Sequence, residues 1–431
     1  MPDDAHERRR GGTASIVGGG WCHGTAASNR KIFLDGPLRF DPAMVLFLHN
    51  RYRTTGGEER TVEDLLWLVR EHLCEPAELL ARDSASLGRT RAAVGLLRGG
   101  LQPGDVAQAV RLSGARVVHA HNLHPALGWR ALAAARAAGA RVVLHLHQYR
   151  LVCAIGVCFT RGSECTRCHG RDTLPGVRLS CRGNLPEAAA YGAALSLWQR
   201  RLVEQADALI VPSEFARERL RTLGAPLPWE RVHVLPPPVR SFSDRAGATS
   251  ECADATSDRA GGSYALVASR LAPEKGVDVA IEACGLAGLP LVVAGDGPEQ
   301  QALLELSGDA DVRFAGHVDR DELAHLRAGA SIALVPSRSA ETFGMAAAEA
   351  MACGLPVAAS RIGALPELLD ESSLAPPGDA PALAETIARV TTDTTAGRRG
   401  LERVRAVCAP DVVARELASV YDGAAGTAAG T

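Results

Sequence analysis

Glu341-Thr-Phe-Gly-Met-Ala-Ala-Ala-Glu349 sets two carboxylates eight positions apart around a Phe343-Gly344-Met345 turn. The apolar run Ser331 to Val335 comes before it and reads as a strand, and Met345 to Cys353 reads as an alanine-rich helix. A strand, a glycine turn and a helix start together form an anion pocket. The first amides of a helix lack intrahelical partners and carry the positive end of its dipole. On this reading Glu341 stands at the mouth of the pocket and Glu349 about two helical turns further in. A carboxylate accepts both hydroxyls of a vicinal diol, so the pair suits a ligand that carries a phosphate, a ribose and a sugar. Two glutamates alone would mark a solvated helix face just as well, and the flanking segments decide between the readings.

Upstream, Ala265-Leu-Val-Ala-Ser-Arg270-Leu-Ala-Pro-Glu-Lys275-Gly276 places an arginine and a lysine in the loop after another apolar strand. Together they suit a diphosphate, the arginine fork giving geometry and the lysine a point charge. Leu291-Val-Val-Ala-Gly295-Asp-Gly297-Pro298 reads as a buried strand that ends in a glycine-rich turn, where an open α/β sheet binds its ligands. Ser360-Arg-Ile-Gly363-Ala-Leu-Pro366-Glu367 then follows the strand Pro356 to Ala359.

In this order the segments resemble the donor half of the retaining GT-B glycosyltransferases of family 4, the glycosyl transferases group 1 family. The glutamate pair of that family matches Glu341 and Glu349, its Arg and Lys match Arg270 and Lys275, and its Gly-x-Gly turn matches Gly295 and Gly297. Members often carry Gly-Gly where this chain has Gly363-Ala364. The resemblance implies an α/β GT-B fold, with two Rossmann-like doubly wound parallel-sheet domains facing an interdomain cleft. It also implies transfer of a sugar from a nucleotide diphosphate sugar to a hydroxyl acceptor, with retention of configuration; a lipid-linked or cell-surface glycan precursor is the expected acceptor. Arg270 and Lys275 would neutralise the leaving diphosphate, with amides near Phe343, Gly344 and Met345 assisting. Glu349 would hold the ribose and Glu341 the donor sugar. The resemblance requires no cofactor for catalysis.

Length and composition agree with two domains. The chain has 431 residues, 46% hydrophobic and 22% charged, enough to bury two ordinary cores. A formal net charge of -2 argues against nucleic acid as the main partner. No apolar run approaches the roughly 18 residues of a membrane span, and the N-terminus lacks the apolar core of a signal peptide. The expectation is a cytoplasmic protein that makes at most peripheral contact with the inner face of the plasma membrane.

Residues 1–43 carry Arg8-Arg9-Arg10 and Gly18-Gly19-Gly20 without periodicity, so they read as a disordered or non-native extension, with Met44 as the start or the domain edge. From there, strands at Met44 to Leu48, Val117 to His121, Arg141 to His147, Ala208 to Val211 and Val232 to Leu235 alternate with helices at Val62 to Leu73, Leu127 to Ala138, Glu187 to Gln205 and Glu214 to Leu223. That alternation marks a parallel doubly wound sheet over residues 44–240. Residues 241–262 are poor in apolar side chains and read as a flexible linker. Residues 263–407 form the nucleotide-sugar domain, and 408–431 a helix and tail that in the family pack back on the first domain.

On the acceptor side, Gly56-Gly57-Glu58 resembles the glycine-rich loop that faces the donor phosphates, and Gly57 is its candidate contact. A glycine pair after a strand is otherwise a tight turn. Val118-His119-Ala120-His121 puts both histidines on one strand face. His121 matches the cleft histidine of the family, the alternative being a structural histidine. Five of the 11 cysteines, Cys153, Cys158, Cys165, Cys168 and Cys181, fall within a Cys/Arg-rich insertion at 150–185. A Cys-x-x-Cys pair with further cysteines on either side suits a structural zinc, and resemblance to a branch of the family implies Cys153, Cys165, Cys168 and Cys181 as its ligands, leaving Cys158 spare; the equal alternative is packed reduced thiols. The arginines around them and the helix carrying Leu195, Leu197, Trp198, Arg200 and Arg201 suit either an anionic lipid surface or plain solvent. The pairs Asp309/Asp311 and Asp319/Asp321 read as turn and cap residues. Rival readings are a nucleotide-sugar epimerase on the same fold and a zinc-stabilised binding or scaffold protein without transferase activity.

Overall fold

Residues Val45 to Leu48 offer no polar side chain, a pattern that suits a strand covered on both faces. The computed structural model describes residues 45–52, 56–242 and 264–423, and in it this run opens an interior strand of a six-stranded parallel sheet. Met44, the extension before it and nearly all of the expected linker lie outside the described residues.

The strands are β1 (Val45–Arg51), β2 (Ala77–Asp83), β3 (Val117–Ala120) and β4 (Arg141–His145), then a small hairpin of β5 (Phe159–Thr160) and β6 (Ser163–Glu164), then β7 (Ala208–Val211) and β8 (Val232–Val234). Their order in the first sheet is β2-β1-β3-β4-β7-β8. The second sheet holds β9 (Tyr264–Ala268), β10 (Leu291–Ala294), β11 (Val312–Gly316), β12 (Ala330–Val335), β13 (Val357–Ser360) and β14 (Leu374–Ala375), in the order β11-β10-β9-β12-β13-β14. Each sheet therefore reverses its winding direction once, beside β1 and beside β9. Those reversals open the crevices in which doubly wound sheets bind ligands.

Side-chain alternation builds a core on each face. Leu46 and Leu48 enter one core of the first sheet, while Val45 and Phe47 enter the other. In the second sheet Leu266 faces one core, and Ala265 and Val267 face the other. The last helix, Pro410–Asp422, follows the second sheet in sequence, yet its Val413, Leu417, Val420 and Tyr421 join Val45 and Phe47. The chain thus returns to finish the first core.

Local signals explain most helix starts. The side chains of Asn184, Ser213, Asp319 and Asp379 accept from backbone amides three residues on. Asp319 is thus a cap, as the sequence reading has it. Several boundaries differ from expectation, two of them beside the cleft. The helix expected from Val62 begins at Gly57, because the Glu59 carboxylate accepts from the amides of Gly56 (2.9 Å) and Tyr52 (3.0 Å) and extends the helix backward. The strand expected to reach His147 ends at His145. The strand β2 and the helices Arg89–Arg98 and Pro103–Ser113 had no assignment. The segment Ala77-Glu-Leu-Leu-Ala-Arg-Asp contains no β-branched residue and reads as helix by composition.

Candidate active site

The donor side gathers at the carboxyl ends of β9 and β12, next to the winding reversal. Glu341 Oε1 accepts from Lys275 Nζ at 2.7 Å and from Ser337 Oγ at 2.6 Å. Burial pushes its pKa up, but the Lys275 charge and these two bonds outweigh it, so the carboxyl lies below its ordinary range. Glu349 sits in the second turn of the helix Met345–Ala352 and pairs with Arg327, while Arg60 of the first domain stands 3.7 Å away. Here too burial raises the pKa, and the arginines bring it down below the ordinary range. Arg270 pairs with Glu274 and is 46% exposed, open toward the cleft. Every charge expected on the donor side already holds an opposite one.

The glycine turn has a different task from a simple phosphate cradle. A Cβ on Gly295 (φ 136°) would lie 1.9 Å from the Ser269 carbonyl oxygen, and one on Gly297 (φ 157°) 2.2 Å from that of Leu271. The turn is bare so that the loop carrying Arg270 can lie against it. Gly295 lines the cleft, whereas Gly297 stands outside the lining and supports that loop. At the Gly363-Ala364 departure, a Cβ on Gly363 would meet the Glu341 amide nitrogen at 2.3 Å. Ala364 has φ -82°, and its amide donates to the Glu341 carbonyl at 2.9 Å. Only the first position needs glycine.

Opposite these groups the first domain presents Gly56, Gly57 and Glu58 at a helix start, together with His147, Gln148 and Arg150. Glu58 accepts from the Tyr52 hydroxyl (2.6 Å) and Gln148 (3.2 Å), and the Arg150 guanidinium lies 4.6 Å from the Tyr52 ring centre. His121, expected in this wall, stands behind it. It is 3% exposed, and its Nδ1 meets His147 Nε2 at 2.8 Å. Ala120 pairs with Leu144 across β3 and β4. His121 therefore ends a buried strand beside His145, and the chain runs on to deliver His147 to the cleft. Burial, then the neighbouring histidines, hold His121 well below the ordinary imidazole pKa. The spacing His145-x-His147, parallel to His119-x-His121, was a readable signal for His147. Nothing in the sequence pointed to Arg327 or Arg60, which reach Glu349 from distant segments.

The two walls touch directly. Thr342 Oγ1 donates to the His147 carbonyl (2.9 Å), Tyr149 to the Ala340 carbonyl (3.2 Å) and Ser213 to the Thr342 carbonyl (2.7 Å). Asp64 of the first domain is buried between Arg240 (2.5 Å) and Arg320 (3.0 Å), the latter on the second domain. Between the walls lies a cleft of about 1160 Å³. That exceeds the roughly 300–1,000 Å³ of an ordinary single-ligand pocket, and leaves room for a donor and an acceptor together. Gly57, Arg270, Lys275, Glu341, Phe343, Gly344, Met345 and Glu349 all line it.

All five cysteines of the insertion border one small cavity of about 10 Å³. Cys158, left out of the expected zinc set, is among them. A hydrogen bond with Cys158 brings the Cys153 thiol down to about 6, while burial pushes Cys168 up to about 11. Among the described residues no helix is long and apolar enough to cross a membrane.

Comparison with known proteins finds two family models. The "Glycosyl transferase 4-like domain" matches residues 41–238, and "Glycosyl transferases group 1" matches residues 255–404. A GDP-mannose-dependent alpha-(1-6)-phosphatidylinositol dimannoside mannosyltransferase of Mycobacterium tuberculosis is 32% identical over 232 residues, 52% of this chain and 58% of that protein. A D-inositol 3-phosphate glycosyltransferase of Mycobacterium avium is 32% identical over 210 residues, 46% of this chain and 48% of that protein. The match thus spans about half the length of these curated relatives. Among solved structures, Anabaena HepE in complex with UDP and glucose superposes with a TM-score of 0.59 at 18% identity, covering 88% of this chain and 99% of that one. Sucrose-phosphate synthase of Thermosynechococcus elongatus gives 0.61 at 19% identity, with 88% and 98% covered. At such identities the likeness concerns the fold.

Proposed function

Because the chain belongs to the GT-B glycosyltransferases, we propose that it moves a sugar from a nucleotide diphosphate donor to a hydroxyl acceptor in the cleft, with retention of configuration. The observation that carries this reading is the Lys275–Glu341 pair at 2.7 Å, set beside Arg270 and facing the first domain across the cleft. As the glycosidic bond breaks, negative charge grows on the departing diphosphate. Lys275 and Arg270 are cations fixed in advance where that charge appears. Donor binding exchanges the Lys275–Glu341 contact for Lys275–phosphate and Glu341–sugar contacts, so neither charge is left without a partner. Glu349 makes the same exchange toward the ribose hydroxyls. Contacts between the walls exclude water, which would otherwise hydrolyse the donor.

The acceptor side supports an anionic lipid-linked substrate and peripheral membrane contact. The helices Arg89–Arg98 and Leu185–Glu204 pack together through Trp198, whose indole donates to the Leu96 carbonyl at 3.1 Å. Both helices line the cleft and leave Val94, Leu97, Leu185 and Leu197 exposed, and Arg89 and Arg182 are among the cleft-lining residues. Apolar side chains flanked by arginines at a cleft mouth match a lipid surface with anionic head groups. Cys153, Cys165, Cys168 and Cys181 border one cavity and are kept as the candidate ligands of a structural zinc, although their sulfurs do not converge as the nitrogens of His119, His121 and His145 do. Four thiolates would fix a segment with little regular structure, and a closed shell leaves no position for chemistry.

Calorimetric titration with nucleoside diphosphates, followed by mass spectrometry of products from a nucleotide-sugar panel against cell-envelope lipid extracts, tests the main reading. Binding with a sugar-bearing lipid product supports it. Binding with an isomerised donor and no acceptor product favours an epimerase, and failure to bind any nucleoside diphosphate favours a scaffold. Sedimentation with phosphatidylglycerol vesicles tests the membrane contact, and elemental analysis of protein purified without added metal tests the zinc.

A further inference from the structure

Behind the cleft wall, three buried imidazoles converge that the transfer reaction does not use directly. Phe47 pairs with His119 across β1 and β3, and His119 with Val143 and Ala120 with Leu144 across β3 and β4. Alternation then puts His119, His121 and His145 on one face of the sheet. All three are at most 3% exposed. Their ring nitrogens lie within 4.8 Å of one another, the one such group of His, Cys, Asp or Glu ligand atoms found among the described residues. His119 Nε2 and His145 Nδ1 are 3.3 Å apart. That separation fits two corners of a tetrahedron whose metal–nitrogen bonds are about 2.0–2.1 Å.

The surroundings complete the pattern. His119 Nδ1 lies 2.8 Å from the Tyr421 hydroxyl on the last helix. A proton on that nitrogen donates to the phenol oxygen and leaves the Nε2 lone pair facing His145, the outer-shell device that orients ligating histidines. His121 uses Nδ1 on His147 and leaves Nε2 buried without a hydrogen-bond partner, as is His145 Nε2. Unpaired buried polar atoms are costly, and His121 Nε2 calls for an occupant.

We propose that His119, His121 and His145 form a three-imidazole site for a divalent transition metal of the zinc type, enclosed in the first domain. Imidazoles without a carboxylate suit zinc, cobalt, nickel or copper and not calcium or magnesium. The fourth position falls to a small ligand such as water. The metal acts as a positioning element. Held on His121 Nε2, it fixes the ring whose Nδ1 orients His147, and His147 lines the cleft. The site is separate from the cysteine cavity and does not depend on zinc there.

The test uses the full chain, stripped with chelator and titrated with Co²⁺. In the Cys168→Ser variant, which breaks the cysteine site, the expected result is one equivalent with visible ligand-field bands and without the near-ultraviolet charge-transfer absorption that thiolates add. His145→Gln in the same background loses those bands. Protein that takes up no cobalt, or only cobalt with thiolate charge transfer, overturns the site. Since His145→Gln replaces a buried side chain, a second measurement leaves the protein unaltered. On adding Zn²⁺ to wild type labelled with ¹⁵N-histidine, three imidazoles shift together at one equivalent. Imidazole resonances that stay in place overturn the proposal.

Discussion

The two walls of the cleft treat charge in opposite ways. On the donor wall, cations and carboxylates stand paired at contact distance, as in Lys275 with Glu341 and Arg327 with Glu349. On the acceptor side, His147 of the wall and His119, His121 and His145 behind it stack on one another, and burial lowers their pKa values. A wall that must release its charges to a diphosphate keeps them ionised but mutually satisfied. Under the proposed function the opposite wall positions a hydroxyl with rings that are free of charge and packed. The physical difference is desolvation, which an ion withstands only with a partner and a neutral ring withstands by itself.

Breaking the donor wall should give the largest effect. Lys275→Ala lowers turnover about a thousandfold and Arg270→Ala about a hundredfold, because Arg270 is more exposed and its charge is worth less near water. Steady-state kinetics on both variants, with circular dichroism to show an intact fold, check this. Unchanged turnover would remove the diphosphate assignment.

Next comes the ribose contact. Glu349→Ala loses two charge-assisted hydrogen bonds at about 1.5–3 kcal/mol each, so donor affinity falls at least roughly a hundredfold. Calorimetry with a donor lacking both ribose hydroxyls should then show wild type and variant binding alike. A large remaining difference would place Glu349 elsewhere.

A smaller effect is expected where the walls are bolted together. Burial raises the Asp64 pKa, and Arg240 and Arg320 partly offset it. Asp64→Asn removes the carboxylate that Arg240 and Arg320 share and destabilises the protein by about 2 kcal/mol, less than the about 3–5 kcal/mol of a fully buried pair, since both arginines keep some water. Urea denaturation measures the loss, and unchanged stability would mean that the triad is screened.

The last prediction separates the walls by pH. Burial, with help from Arg150 and Arg182, lowers the pKa of His124, the residue before the cleft-lining Pro125, from 6.5 to about 4. The unfolded chain takes up that proton first, so this contribution is lost as pH falls from about 6.5 toward 4. Glu341 and Glu349 have lowered values, so their contribution is present above the unfolded value of 4.5 and lost as pH falls through the folded ones. Denaturation midpoints across pH should show His124→Asn flattening the upper limb and Glu349→Gln the lower one. A single shared limb would erase the contrast.

The donor wall was legible because its chemistry sits in short segments. Arg270, Lys275, Glu341 and Glu349 each follow a strand end, and strand ends can be read from apolar runs. The acceptor wall was read less well. Its histidines were visible as alternating pairs, but which of them reaches the cleft depends on where β3 and β4 stop, and strand ends shift by a residue or two without any change in pattern. Glycine readings divide in the same way. Gly295 and Gly297 were found by spacing, yet their close approach to the Ser269 and Leu271 carbonyls belongs to the packing of two loops.

By itself the sequence determined the alternating α/β order, the two parallel sheets and the identity of the donor charges, since hydrophobic period and turn chemistry act over a few residues. Only the tertiary structure decided that Arg327 and Arg60 meet Glu349, that Tyr421 of the last helix reaches His119, and that His121 stands behind His147. Those contacts join residues from 22 to 302 positions apart, or depend on strand register. Local pattern carries no record of either.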